Sequence, residues 1–340
     1  MPLNAPVFHR FPSSPILACA LVLAGLAPLH DAAAQGAAAS APAPAAAPAQ
    51  PGAATGALAR ARAAFKTQVA LAATGVPHPP QDPTGTFALR SYPSPVGALA
   101  AYVTVDPKDG KKHPAIVWIT GGDFTSIDDM WSPRPRDNDQ SAAAFRKAGI
   151  VQMFPSLRGG NDNPGRREAF YGEVDDILAA ADYLARQPWV DPDRIYLGGH
   201  STGGTIALLT AEQTSRFRAV FALGPVHAVT SYGPDFVGVD LAKLLDRREE
   251  ELRSPVRWMN EVTRRTFVIE GAARGNIEAL RLMRQYNTNR QLRFVEVPGA
   301  THFTAIAPTN EVLAQKILKD GDGATSSIEL SADEIVAKMK

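Results

Sequence analysis

The pentapeptide Gly199-His200-Ser201-Thr202-Gly203 constrains this chain more than any other stretch. It lies between a strand-like run, Arg194–Gly199, and a helix-like run, Thr202–Gln213. A serine at so abrupt a strand-to-helix turn is forced into strained backbone angles, and small residues at 199 and 203 let the two elements approach closely. Its hydroxyl then stands above a sheet, at the positive end of a helix. That setting belongs to an α/β architecture. It makes Ser201 a candidate nucleophile, with Gly199 and Gly203 forming its elbow.

The surrounding pattern agrees. Thr86–Tyr92 and Gly97–Val105 read as two strands around a Pro-containing turn. His113–Thr120 and Gly149–Pro155 are nearly continuous apolar runs, as expected of strands buried on both faces. Ala219–Leu223, Thr266–Ile269 and Leu292–Val297 complete the strands. Helical spacing marks Ser141–Ala148, Gly172–Gln187, where Val174, Ile177, Leu178, Ala181 and Leu184 share a face, and Thr309–Lys319. Strands alternating with helices predict a mostly parallel central sheet with helices on both faces, and ligands then bind beyond the carboxyl ends of the strands. The polar, irregular stretch from about 226 to 263 is expected to form a short cap.

The first 83 residues read differently. Residues 1–34 follow the order of a signal peptide: a weakly basic start with His9 and Arg10, an apolar Ile16–Leu29, then small Ala32, Ala33 and Ala34. The apolar run is shorter than the ~20 residues of a spanning helix, so a cleaved leader is favoured over a retained anchor. The protein is therefore expected to be exported, to the periplasm or beyond, with no stable membrane insertion once the leader is cut. Cys19 is the only cysteine and leaves with the leader, which excludes disulfides, thiolate metal sites and a cysteine nucleophile from the mature chain. Residues 35–83 read as an Ala/Pro-rich disordered spacer. Leu58, Ala61, Phe65, Val69 and Ala72 recur at helical spacing within it, predicting a helix over 57–74. The folded domain is placed at 84–340. With 35 Lys+Arg against 34 Asp+Glu, no strong field favours nucleic acid.

A serine hydroxyl needs a base. Of seven histidines, His9 and His30 leave with the leader, His78 and His113 precede their strands, and His200 flanks the nucleophile and faces packing. His302, in a loop after the last strand, is the preferred base, and His227 a weaker alternative. An oxyanion hole requires backbone N–H donors aimed at developing charge. Thr202 N–H is one; the second is assigned to Gly122 or Asp123, in the Gly-Gly loop after His113–Thr120.

Together the segments HPAIVWITGGD, PSLRGGND, GEVDDILAAADYLARQPWVDPDRIYLGGHSTGG and VPGATHF resemble the α/β-hydrolase superfamily, and within it the catalytic domain of the prolyl oligopeptidase family and the dienelactone-hydrolase-like esterases. The resemblance implies Ser201 as nucleophile and His302 as base, no cofactor or metal, and a small-molecule or peptide substrate cleaved as an ester or amide. Nothing in the sequence corresponds to the family's propeller domain, so any size gate must come from elsewhere. The resemblance also meets a break. The family's acid lies three residues after a glycine ending the next-to-last strand, and here that position is Arg274. Asn276 or Glu278 is the preferred substitute, ahead of Glu270 and Asp235. A Ser–His dyad, or an impaired hydrolase that only binds, is the alternative. Glu173, Asp175, Asp176 and Arg158 are expected to be structural. Tyr232, Phe236 and Trp258, with Phe124, Met130 and Trp131, either line an apolar pocket or simply pack.

Overall fold

The computed structural model describes residues 56–233, 241–244, 246–321 and 323–340. The leader, the first part of the spacer, Asp235 and Phe236 lie outside the described residues. The chain divides into two units at Pro48, and the described residues belong to the second.

Eight strands form one sheet: β1 (Phe87–Ser94), β2 (Gly97–Thr104), β3 (His113–Ile119), β4 (Val151–Pro155), β5 (Val190–His200), β6 (Val220–Leu223), β7 (Thr266–Gly271) and β8 (Leu292–Val297). Their order is β1-β2-β4-β3-β5-β6-β7-β8. β2 is antiparallel to both β1 and β4, and every other neighbouring pair is parallel. This is the α/β-hydrolase fold that the alternating pattern predicts. The continuous apolar runs of β3, β4, β6 and β7 are buried because both faces of the sheet are covered.

Among the described residues the α-helices of five or more residues are α1 (Ala57–Ala63), α2 (Ala143–Lys147), α3 (Glu173–Ala185), α4 (Thr202–Gln213), α5 (Arg247–Glu251), α6 (Ile277–Tyr286), α7 (Ile306–Lys319) and α8 (Ala332–Val336). The two-residue period of the strands splits the core. Val117, Val151 and Leu197 pack with Ile177 of α3, Ile206 of α4 and Leu280 of α6 on one face. Ile116, Trp118, Phe154 and Phe267 pack with Phe145 of α2, Leu313 of α7 and Ile335 of α8 on the other. Parallel register pairs Ile119 with Gly199, His200 with Leu223, Leu223 with Ile269 and Gly271 with Val297. The loops after β3, β5, β6, β7 and β8 therefore leave from one edge. Among the described residues no helix is long and apolar enough to cross a membrane.

The segment before β1 departs from its sequence reading. The helix predicted over 57–74 ends at Ala63, and an arm runs on as extended chain over the folded body. Gln68 N and Thr67 Oγ1 donate to Glu249 of α5, Leu71 N donates to Arg167 O at 2.8 Å, and Thr74 N to Gly159 O at 2.9 Å. Val69 is fully buried in the core. These tertiary contacts override a weak local helical preference.

In its described part the expected cap is a series of short turns, a single helical turn at Leu241–Leu244 and α5. Glu249 and Arg253 form a buried ion pair. Arg253 also donates to Thr67 Oγ1 and to the carbonyls of Glu168 and Ala169, fastening the arm to the body.

Candidate active site

Ser201 occupies the turn between β5 and α4 with φ 56° and ψ −114°, a positive φ rare for any residue but glycine. The turn is fixed on both sides: Ser201 N donates to Leu223 O at 2.8 Å, and Ser201 O accepts from Thr205 N at 2.9 Å. A methyl group on Gly199 would stand 2.4 Å from Gly203 O, and one on Gly203 would stand 2.2 Å from Ile119 O. Both glycines are present because strand, helix and β3 meet without room for a side chain.

His302 follows β8 and meets Glu270, near the end of β7. His302 Nδ1 lies 2.8 Å from Glu270 Oε2. A carboxylate only accepts, so Nδ1–H donates to it, and in the neutral ring the lone pair is then on Nε2. Glu270 is 1% exposed and is held by two further donors, Gly271 N on Oε1 at 2.7 Å and Asn276 N on Oε2 at 3.1 Å. A methyl on Gly224, the residue after Leu223, would fall 2.5 Å from His302 Cε1 and 2.9 Å from Glu270 Oε2. Ser201 N donates to Leu223 O and the His302–Glu270 pair rests on Gly224, so the Ser201 turn and that pair both lie against the end of β6.

The carboxylate on His302 therefore belongs to Glu270, a correction to the preference for Asn276 or Glu278. Asn276 supports the pair through its backbone, while its side-chain amide donates to Gly224 O at 2.8 Å. Glu278 lies on the outer face of α6, 80% exposed and paired with Arg281. Arg274 has an exposed side chain and takes part only through its carbonyl, which accepts from His302 N at 2.9 Å. The signal for Glu270 was the lone charge in the apolar strand Thr266–Gly271: a buried carboxylate needs a partner.

A second histidine supports the first. His200 Nε2 donates to His302 O at 2.9 Å, and its Nδ1 accepts from Gln140 Nε2 at 2.8 Å. Its ring lies 4.4 Å from that of His302, centroid to centroid. Burial, with repulsion from His302 added, brings the His200 pKa down to about 3, so the ring is neutral. Gln140 Oε1 in turn accepts from Gly121 N at 3.0 Å. Gln140 and His200 thus tie the loops after β3, β5 and β8 into one frame, a role the sequence did not announce.

The loop after β3 turns at Gly122, φ 79°, whose carbonyl accepts from Thr202 Oγ1 at 3.0 Å. Asp123 Oδ1 accepts from Thr125 N and Oγ1 at 3.0 and 2.7 Å. Gly122, Asp123 and Thr202, the predicted oxyanion residues, line one cleft of about 230 Å³ with Leu71, Phe124, Thr125, Arg167, Ala169 and Glu173. Phe124 is backed by a stack: its ring lies 4.6 Å from Phe170, which lies 5.5 Å from Tyr232. Tyr232 and Thr205 share a 2.6 Å hydroxyl contact. Of the other proposed pocket residues, Trp131 packs edge-on against Tyr102 with Met130 on the opposite side of the sheet, and Trp258 donates to Glu251 O. His227 faces a separate cavity beside Gly275 and Asn276. Arg158 binds Asp176 through Nε and Nη2, both at 2.9 Å, which fixes the loop after β4 to α3.

The profile of the prolyl oligopeptidase family matches residues 137–317. The dual function macrocyclase-peptidase POPB of Galerina marginata is 30% identical over 128 residues, 31% of this chain and 17% of that protein. The dipeptidyl-peptidase 5 of Porphyromonas gingivalis is 28% identical over 135 residues, 37% of this chain and 19% of that protein. The chain thus spans a minor part of the length of these two relatives. The solved 2,6-dihydroxy-pseudo-oxynicotine hydrolase superimposes with a TM-score of 0.55 at 15% identity, covering 69% of this chain and 68% of that one, a likeness of fold.

Proposed function

The chain belongs to the prolyl oligopeptidase family of hydrolases, and from that premise we propose that it is an exported serine hydrolase working through an acyl-enzyme. The observation that carries the reading is the convergence of a strained Ser201 and a His302–Glu270 pair at Leu223–Gly224. Ser201 Oγ attacks the carbonyl of an ester or small peptide-like amide while His302 Nε2 takes its proton. Glu270 orients the ring through Nδ1–H and stabilises the imidazolium as it forms. The N–H groups of Thr202 and of Gly122 or Asp123 receive the oxyanion. Collapse expels the alcohol or amine with the proton from His302. Water, deprotonated by the same ring, then releases the acid and restores Ser201. Glu270 removes the motive for an impaired site, since it supplies the carboxylate missing at position 274.

Export rests on the leader-like order of residues 1–34. Sequencing the amino terminus of the protein recovered from the producing cell tests it: a start near residue 35 supports export, an intact Met1 opposes it.

For the chemistry, a fluorophosphonate probe is the direct test. It should label the wild type and lose labelling in Ser201→Ala and His302→Ala. Glu270→Gln should lower ester turnover by about 10⁴, the scale seen when a triad acid loses its charge. A folded wild type that resists the probe sinks the reading.

A further inference from the structure

The reaction described above needs a site for the acyl group, and the catalytic core does not build it alone. We propose that the amino-terminal arm is the size gate of this enzyme, with Leu71 closing the acyl cleft so that it admits short acyl groups. The proposal rests on the assignment of Thr202 and Gly122 to the oxyanion hole.

Leu71 lines the same cleft as Gly122 and Thr202, although it lies in the arm ahead of β1. Its place there is fixed from both sides. Leu71 N donates to Arg167 O, and Arg167 Nε donates back to Ala72 O, both at 2.8 Å, so the arm runs antiparallel to the loop bearing Arg167. Arg166 Nη2 reaches Ala70 O at 3.2 Å. Further anchors are Ser126 Oγ on Thr74 Oγ1 at 3.0 Å and Arg253 Nη2 on Thr67 Oγ1 at 2.6 Å. In extended chain, side chains two apart share a face. Val69 inserts into the core and Leu71, one step further, meets the cleft.

The opposite wall is rigid. Phe124 is backed by the stacked rings of Phe170 and Tyr232, and Phe170 is fully buried. Several polar groups of the lining are engaged by the loops. Glu173 accepts from the N–H groups of Glu168 and Tyr171, Asp123 from Thr125, and Arg167 Nε serves the arm. Leu71, Phe124 and Ala169 supply the apolar part of the lining. The volume of about 230 Å³ falls below the roughly 300–1,000 Å³ of pockets that take drug-sized ligands. A long acyl chain fits only by displacing the arm.

The test is the ratio of kcat/KM for p-nitrophenyl decanoate to that for the butyrate, in the full protein. The wild type should favour butyrate by tenfold or more. Leu71→Ala should raise the decanoate-to-butyrate ratio at least tenfold, largely through KM, Leu71→Val should raise it a few-fold, and Leu71→Phe should lower it. Ile335→Ala in α8 is the control for general destabilisation: it removes core packing on the other face of the sheet, away from the arm, so it should lower the melting temperature and leave the ratio within twofold of wild type. A Leu71→Ala protein that labels with the probe but keeps the wild-type ratio overturns the gate. So does a wild type that turns over decanoate as well as butyrate. A wild type that takes neither probe nor ester removes the serine-hydrolase reading itself, and the gate with it.

Discussion

His200, 1% exposed, has an amide donor on one ring nitrogen and a carbonyl acceptor on the other, which leaves no place for a second proton. Its folded pKa, about 3, lies below the ~6.5 of a histidine in the unfolded chain. Between those values the unfolded state binds more protons, so stability rises with pH across the window and falls on acidification. Taking the protein from pH 7 to pH 5 should remove about 2 kcal/mol on this account alone. Urea unfolding at both pH values checks it: His200→Gln should lose about 2 kcal/mol less than wild type over that step, and equal losses would contradict a neutral buried ring. Residues of this kind set the limit of what the sequence reveals. Ser201 and His302 were legible because their neighbours along the chain, Gly199, Gly203 and the loop after a terminal strand, mark the turns they occupy. Glu270 was harder to find because its role depends on β6 and β8 flanking β7, and a spacing rule anchored on Gly271 passes over a carboxylate one residue before it.

The arm and α5 show how elements override local signals. Helical spacing from Leu58 to Ala72 is real, yet the chain leaves the helix at Ala63 because Glu249 offers acceptors to Gln68 N–H and Thr67 Oγ and the core offers a site to Val69. The alternation of Val69 and Leu71 was the competing signal, too short to decide the matter unaided. The Glu249–Arg253 pair is the clamp. Arg253→Ala would leave Glu249 without its cation in a buried site, a change that costs about 3–5 kcal/mol. Thermal unfolding should show a melting temperature lower by roughly 10 °C. Replacing both partners by apolar residues of similar volume should cost markedly less, since no charge is then stranded. If the double replacement is as damaging as Arg253→Ala, packing rather than charge pairing holds the arm.

At the scale of the whole molecule, a sheet whose middle strands run parallel gathers its loops at one edge, which is why alternating elements sufficed to predict the edge at which Ser201 and His302 stand. That regularity is silent about the arm, whose partners lie far along the chain: Arg167 is 95 residues beyond Ala72, and Arg253 is 186 beyond Thr67. The arm leaves the ribosome before any of them exists, and it has nothing to lie on until β4, α3 and α5 are in place. Contacts closed over such separations form late. When unfolded protein is returned to native buffer, probe labelling of Ser201 should therefore recover before discrimination between butyrate and decanoate does; simultaneous recovery would mean that arm and body fold as one unit. The first segment of the domain to be made is then the last to settle, and a freshly folded molecule passes through an interval in which it is already reactive but not yet selective.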